Sequence, residues 1–303
     1  MGTVPVVALK RHVRALRRVS LRKSLNKHGL AQSPITDMEP GGMTRHSTRV
    51  VAMTPSARTL PTLDPGILLA SDGPLVVNPD TVHVWAFALA GTPEQVERCR
   101  DLLSQEERQR ADRFVFERDR VRYTIAHAVM RQLLGRYCGL APQSLRFTMT
   151  AAGKPSLAGQ APLLHFNLTH SDDRALLGLS VASEIGVDLE KVRTNIEALA
   201  ISRHYFFGSE RDAIEATAQS HDMFFRYWVA KEAVLKAQGI GLGFPLDRFR
   251  VDFLTDGTTA RIESFDASAL RNDWRVRLLP CEAGWHAAVA ARGEDWVVQV
   301  EPS

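Results

Sequence analysis

The sequence predicts an α+β fold of two similar α/β halves related by a pseudo-twofold, and three observations point to it. The segment Arg122-Tyr123-Thr124-Ile125-Ala126 has a counterpart in Arg226-Tyr227-Trp228-Val229-Ala230, each inside a long helical pattern. A short strand segment follows each helix, Ser144-Leu145-Arg146-Phe147 in one case and Leu246-Asp247-Arg248-Phe249 in the other. Each half then closes on an Ala-rich apolar strand, Ala175 to Val181 and His286 to Ala291. A five-residue match alone is noise, but matched order of helix and strands makes a repeat the better reading. The halves are expected at 81–182 and 183–303, with ligands in the cleft between them.

Taken in order, residues 1–80 read as a basic, Pro-rich N-terminal extension, expected to be disordered, with Met43 and Met53 as candidate internal starts. Regular structure begins at the period-two strand Val82 to Phe87 and continues in a helix from Pro93 to Leu103. Ser104 with Glu107 forms a capping box that opens a helix towards Phe114. A longer helix runs from Asp119 to Cys138, with Ile125, Val129, Leu133 and Leu134 on one stripe, and Gly139 ends it. Strands follow at Leu145 to Met149, Leu164 to Leu168 and Ala175 to Val181, with a turn at Ala152 to Pro155. The second half opens on the strand Ile185 to Glu190 and carries a strong helix that ends at Gly239.

Composition excludes several classes. The 303 residues, 45% hydrophobic and 24% charged, suit a soluble globular chain. The net charge of +4 is uneven: residues 1–50 carry ten Lys/Arg against two acids, and the remainder carries 28 against 32. A slightly acidic body behind a basic tail argues against a nucleic-acid groove. Cys99, Cys138 and Cys281 are widely spaced and odd in number, so neither a disulfide framework nor a thiolate zinc site is expected. That usage suits a reducing, cytoplasmic setting, and no apolar run reaches the roughly 20 residues of a membrane helix.

Chemistry concentrates in four places. Asp188 and Glu190 stand at i and i+2 of a strand, so both carboxylates project from one face while Val187 and Leu189 face the other. Alone, the pair also reads as a solvated strand end beside Lys191 and Arg193. Glu232 and Lys236 share a helix face at i, i+4, which alone reads as a surface ion pair. Together, three carboxylates offer a hard oxygen site of the kind magnesium accepts, with Lys236 one turn away to meet phosphate. Phe166-Asn167-Leu168-Thr169-His170-Ser171 is a strand running into a polar turn, and Gly153-Lys154-Pro155 by itself is only a turn. Gly239, Gly241 and Gly243 follow a helix instead of linking strand to helix, which rules out a dinucleotide-binding loop.

In this order, Gly153-Lys154-Pro155, Phe166 to Ser171, Gly186-Val187-Asp188-Leu189-Glu190 and Trp228-Val229-Ala230-Lys231-Glu232-Ala233-Val234-Leu235-Lys236-Ala237-Gln238-Gly239 resemble the signature motifs of the Sfp-type 4'-phosphopantetheinyl transferases. The resemblance spans about 82–295 and leaves out residues 1–80. It implies a monomer that transfers 4'-phosphopantetheine from coenzyme A to a serine of an apo acyl or peptidyl carrier protein, releasing 3',5'-ADP. It also implies Mg²⁺ held by Asp188, Glu190 and Glu232, with Glu232 as base and Lys236 steadying the pyrophosphate. Arg110, Lys154 and His170, together with Gly153, Pro155 and Thr169, would meet the rest of coenzyme A. The chain departs from the pattern at Glu107, where some members carry a basic residue, which moves the 3'-phosphate expectation to Arg110, Arg122 or His170. Carrier docking is expected in the Tyr205 to Met223 stretch. The rival readings are a catalytically silent coenzyme A or carrier-protein binding module, which would be expected to lose a metal carboxylate, and a basic nucleic-acid binder.

Overall fold

The computed structural model describes residues 59–150, 153–159, 164–266 and 268–301. Among these the strands form three sheets. The first runs β11-β1-β5-β4, with β1 at Thr81–Ala88, β4 at His165–Ser171, β5 at Arg174–Ser180 and β11 at Val297–Glu301. The second runs β6-β10-β9-β8-β7, with β6 at Ile185–Lys191, β7 at Phe249–Phe253, β8 at Thr259–Ser264, β9 at Trp274–Leu279 and β10 at Trp285–Arg292. A ribbon pairs β2, Phe147–Met149, with β3, Pro155–Leu157. The expected repeat is visible in the strand order: β1-β5-β4 and β6-β10-β9 are both antiparallel triplets in which the half's first strand pairs with a late one.

Each of the two larger sheets is backed by one long helix. Helix α4, Glu117–Cys138, follows α1 (Pro65–Ala70), α2 (Pro93–Leu102) and α3 (Gln105–Asp112). Its Ile125, Val129, Leu133 and Leu134 pack with Trp85, Phe87, Leu177 and Leu179. Helix α7, Ser220–Gln238, follows α5 (Ala198–Tyr205) and α6 (Gly208–Glu215). Its Phe225, Trp228, Val229 and Ala233 pack with Val276, Ala288 and Ala290. The strands' two-residue period turns the alternate side chains the other way. Val82, Val84 and Ala86 thereby meet Ile185, Val187, Leu189, Ala287 and Val289 in a third core that joins the halves. Both long helices stop where the sequence predicts, at Gly139 (φ 65) and Gly239 (φ 72), in the left-handed conformation only glycine takes without strain.

The halves also share a polar device. Glu107, third residue of α3, closes the capping box with Ser104 and binds His127 (3.1 Å) and Arg131 (2.5 Å) on α4. Glu210, third residue of α6, accepts from the Phe207 amide (3.0 Å) and pairs with the fully buried Lys231 of α7 (2.9 Å). Each short helix is thus nailed to its long helix by one carboxylate.

Two boundaries differ from expectation. Residues 59–80 belong to the fold: Leu60 and Leu68 are buried, Leu63 exchanges backbone bonds with Ala86 and Ala88, and Asp64 caps α1 through the Gly66 amide. The spaced leucines find apolar partners, a signal the Pro-rich composition masks. The extension therefore ends by residue 58, and the expectations for residues 1–58 lie outside the described residues. Nor do residues 183–303 all belong to the second half, because β11 crosses back to lie parallel to β1, Thr81 opposite Val297. The stretch expected to dock a carrier is partly core: Phe206 is buried and stacks on Phe224.

Candidate functional site

The site begins with a close approach between β6 and α7. A Cβ on Gly186 would lie 2.0 Å from the Ala233 carbonyl oxygen and 2.3 Å from the Ala237 nitrogen, so the helix backbone rests directly on this residue. Asp188 and Glu190 follow at two-residue spacing and share the face of Gly186, while Val187 and Leu189 enter the inter-half core. Neither carboxylate is a solvated strand end: Asp188 is 0%, Glu190 5% and Glu232 3% exposed.

Buried anions need partners, and this chain supplies them from three elements. Lys236 Nζ donates to Asp188 Oδ1 (2.5 Å), to Thr169 Oγ1 (2.9 Å) and to the Val187 carbonyl (3.2 Å). Thr169 Oγ1 itself donates to Asp188 Oδ1 (3.2 Å). Glu190 accepts from Ser171 Oγ (2.7 Å) and Arg193 Nη1 (3.2 Å), and Arg193 Nη2 reaches Ser171 Oγ (3.1 Å). The Asn167 side-chain oxygen accepts from the Val187 amide (2.9 Å). The Phe-Asn-Leu-Thr-His-Ser segment therefore works by alternation, its residues 167, 169 and 171 fastening β4 along β6. Sequence reasoning missed Asn167, Ser171 and Arg193; the period-two placement of polar residues in an otherwise apolar strand was the available signal.

Beside these carboxylates lies a cleft of about 860 Å³ whose wall includes Ser104, Glu107, Arg108, Arg110, Arg146 and Gly153. Pro155 and Asn167 also border it, and Asn167 is two residues along β4 from Thr169, so cleft and carboxylates adjoin. Arg110 sits over the Tyr123 ring, 5.5 Å from its centre. Arg122 is taken up by Asp172 (3.0 Å), and His170 is exposed at the end of β4 opposite Ala175. Lys154 turns away from the cleft towards the end of α7, where it donates to the Ala237 carbonyl (2.9 Å) and pairs with Glu184. A side chain's direction depends on the neighbours that folding brings, here a carbonyl in the last turn of α7 and a carboxylate.

Glu107, the departure from the family pattern, is neutralised within its own half. Burial raises its carboxyl, but hydrogen bonds from His127, the Ser104 amide and Arg131 outweigh this and hold it at about 2. A carboxyl below its ordinary 4.5 stabilises the fold fully above that value and loses the contribution as pH falls from 4.5 towards 2. Glu107→Gln is accordingly expected to lower the melting temperature at neutral pH and to flatten its decline below about pH 4.5. Thermal melts of both proteins across that range check it.

A hard divalent cation fits the donor set. Two of the three buried carboxylates stand on β6 and the third on α7, whose backbone rests on β6, and Asp188 Oδ2 is buried without a hydrogen-bond partner. As they stand, with Lys236 and Arg193 drawn onto two of them, no three His, Cys, Asp or Glu side chains among the described residues are gathered closely enough to hold a metal.

Comparison with known proteins agrees across both halves. The family model described as 4'-phosphopantetheinyl transferase superfamily matches residues 184–291, and that described as 4'-phosphopantetheinyl transferase, N-terminal matches 90–182. The 4'-phosphopantetheinyl transferase HetI of Nostoc sp. is 32% identical over 222 residues, covering 72% of this chain and 90% of the relative. The 4'-phosphopantetheinyl transferase Sfp of Bacillus subtilis is 29% identical over 205 residues, 67% of this chain and 88% of its own. The human L-aminoadipate-semialdehyde dehydrogenase-phosphopantetheinyl transferase is 33% identical over 184 residues, 55% of this chain and 59% of its own. With family models adjoining at the junction of the two halves, and HetI matched over nearly its whole length, the chain belongs to the 4'-phosphopantetheinyl transferase superfamily.

Proposed function

We propose that this enzyme transfers 4'-phosphopantetheine from coenzyme A to a serine of an apo acyl or peptidyl carrier protein, releasing 3',5'-ADP, with Asp188, Glu190 and Glu232 as Mg²⁺ ligands. The observation that supports the assignment of residues is the burial of three carboxylates beside Lys236 on the β6–α7 seam, next to the strand β4 that borders the cleft. Bound there, Mg²⁺ supplies charge neutralisation for the pyrophosphate. Arg108, Arg110 and Arg146 border the cleft and suit the phosphates of the adenosine end, while Gly153 and Pro155 shape its wall.

The residues divide the remaining work. Glu232 takes the proton of the incoming serine hydroxyl as its oxygen bonds to the phosphorus that carries the pantetheine. The bond from that phosphorus to the bridging oxygen breaks, and 3',5'-ADP departs with the electron pair. Lys236, held by Thr169 and the Val187 carbonyl as well as by Asp188, is positioned to balance the charge that builds on the leaving phosphate. Helix α7 carries both groups one turn apart, so their spacing is rigid.

The reading includes a monomer acting in the cytoplasm. Three free cysteines support that setting, and no helix among the described residues is long and apolar enough to cross a membrane. Purified protein incubated with coenzyme A, Mg²⁺ and a panel of apo carriers is expected to add one phosphopantetheine to the carrier serine, read by intact-protein mass spectrometry. Chelation of the metal is expected to abolish the mass gain. Coenzyme A binding without transfer to any carrier would favour the silent binding module instead.

A further inference from the structure

We propose that Asp172 is a positioning residue whose carboxylate clasps α4 of the first half to the end of β6, holding the helix beside the cleft in register with the strand that bears Asp188 and Glu190. The inference rests on the transferase reading above and concerns how that site is kept assembled. Asp172 and Asp173 form the two-residue turn between β4 and β5. Among the described residues Asp172 is the one non-glycine at positive φ, 51°. At the first residue of such a turn positive φ suits glycine, and a side chain there carries strain. Strain of this kind persists where the surrounding structure over-determines it.

What surrounds Asp172 is a pair of cations from different halves, one on each oxygen. Arg122 Nη2 on α4 donates to Oδ1 at 3.0 Å, and Nζ of Lys191, the last residue of β6, donates to Oδ2 at 2.8 Å. The turn itself is fixed on both sides. Ser171, directly before Asp172, donates to Glu190 at 2.7 Å and accepts from the Lys191 amide at 3.3 Å. The Asp173 carbonyl accepts from the Leu89 amide at 2.8 Å. Lys191 directly follows Glu190, and Tyr123, which borders the cleft, directly follows Arg122. One carboxylate therefore joins the neighbour of a proposed metal ligand to the neighbour of a cleft residue. Ion pairs as open as these, with the Asp172 side chain 24% and that of Lys191 47% exposed, add little to overall stability. What they contribute is placement: without the clasp, α4 and the end of β6 each lose a tie beside the site. Misplacement of a reacting group by about 1 Å costs on the order of 10²-fold in rate.

Glycine at this position makes the test sharp, because it relieves the strain while it removes the carboxylate. Wild type, Asp172→Gly, Asp172→Asn and Lys191→Met are compared by melting temperature, by kcat for carrier modification, and by amide hydrogen exchange of the substrate-free proteins over 119–124 and 186–193. For Asp172→Gly a clasp predicts a melting temperature within a few degrees of wild type, faster exchange in both segments, and kcat lowered about tenfold. Asp172→Asn tolerates the same backbone and keeps a hydrogen-bonding oxygen, so a smaller loss in the same direction is expected, and it serves as the test if Asp172→Gly does not fold. Lys191→Met is expected to share the signature, and combining it with Asp172→Gly is expected to add little, the coupling of two groups in one contact. Unchanged exchange and kcat in Asp172→Gly would make Asp172 a turn residue only and overturn the proposal. Additive losses in the double variant, or a kcat loss no larger than the loss of folded protein, would overturn it as well. Failure of wild type to modify any carrier counts against the transferase reading alone, because the exchange comparison still decides the clasp.

Discussion

Glu232→Gln is expected to lower carrier modification by about 10²–10⁴-fold while coenzyme A affinity in the absence of metal stays close to wild type. Glutamine keeps the shape and the capacity to hydrogen-bond but loses the negative charge and the ability to take a proton. Helix α7 is held by Phe225, Trp228, Val229 and Ala233 in the second core, none of which the substitution touches, so the fold persists. Both proposed duties of Glu232 fall together: a hard cation loses one of three anionic ligands, and the serine proton loses its acceptor. The two can be separated by measurement. Calorimetric titration of Mg²⁺ reads the ligand role, and single-turnover transfer at saturating Mg²⁺ reads the base. Transfer restored by excess metal would reduce Glu232 to a ligand, and a variant altered only in KM for coenzyme A, with kcat kept, would remove it from the chemistry altogether.

What the sequence disclosed depended on the range of the interactions involved. Local rules read well: the alternating strand β1, the apolar strand β5, the capping box at Ser104 and Glu107, and the glycine ends of α4 and α7 are all set within a few residues, and all stand where expected. The common face of Asp188 and Glu190 follows from strand period alone. Features that depend on distant partners did not read. The segment Val297–Glu301 alternates no more distinctively than many loops, and nothing in it names β1 as its neighbour. The bonds of Lys154 to the Ala237 carbonyl and to Glu184 are of this kind, since those partners stand 83 and 30 positions away in sequence. Arg193 looked like part of a solvated charge run because the strand end it follows looked exposed; burial of Glu190 at 5% turned it into that carboxylate's partner. Glu107 read as a departure from a basic position, and its partners His127 and Arg131 lie 20 and 24 positions along the chain.

Gly186→Ala is expected to damage stability and transfer together, whereas Gly178→Ala is expected to cost much less in both. The methyl group at 186 would meet the carbonyl oxygen of Ala233 at 2.0 Å and the nitrogen of Ala237 at 2.3 Å, both backbone atoms within one hydrogen-bonded turn of α7. No side-chain rotation relieves them, so strand and helix must separate or the turn must open. Overpacking of this kind costs at least about 2 kcal/mol, which lowers the melting temperature by several degrees in a protein of this size. The same separation withdraws Lys236 from Asp188 and loosens Glu232 against β6, so the transfer rate drops by more than the loss of folded protein explains. At Gly178 the nearest atoms are side-chain ends, Val187 Cγ1 at 2.6 Å and Ile185 Cδ1 at 3.0 Å, and these can move within the inter-half core. Melting curves and single-turnover transfer on both variants decide the matter. Equal losses at the two positions would mean that the close approach of α7 to β6 is not what holds the carboxylates and Lys236 in register.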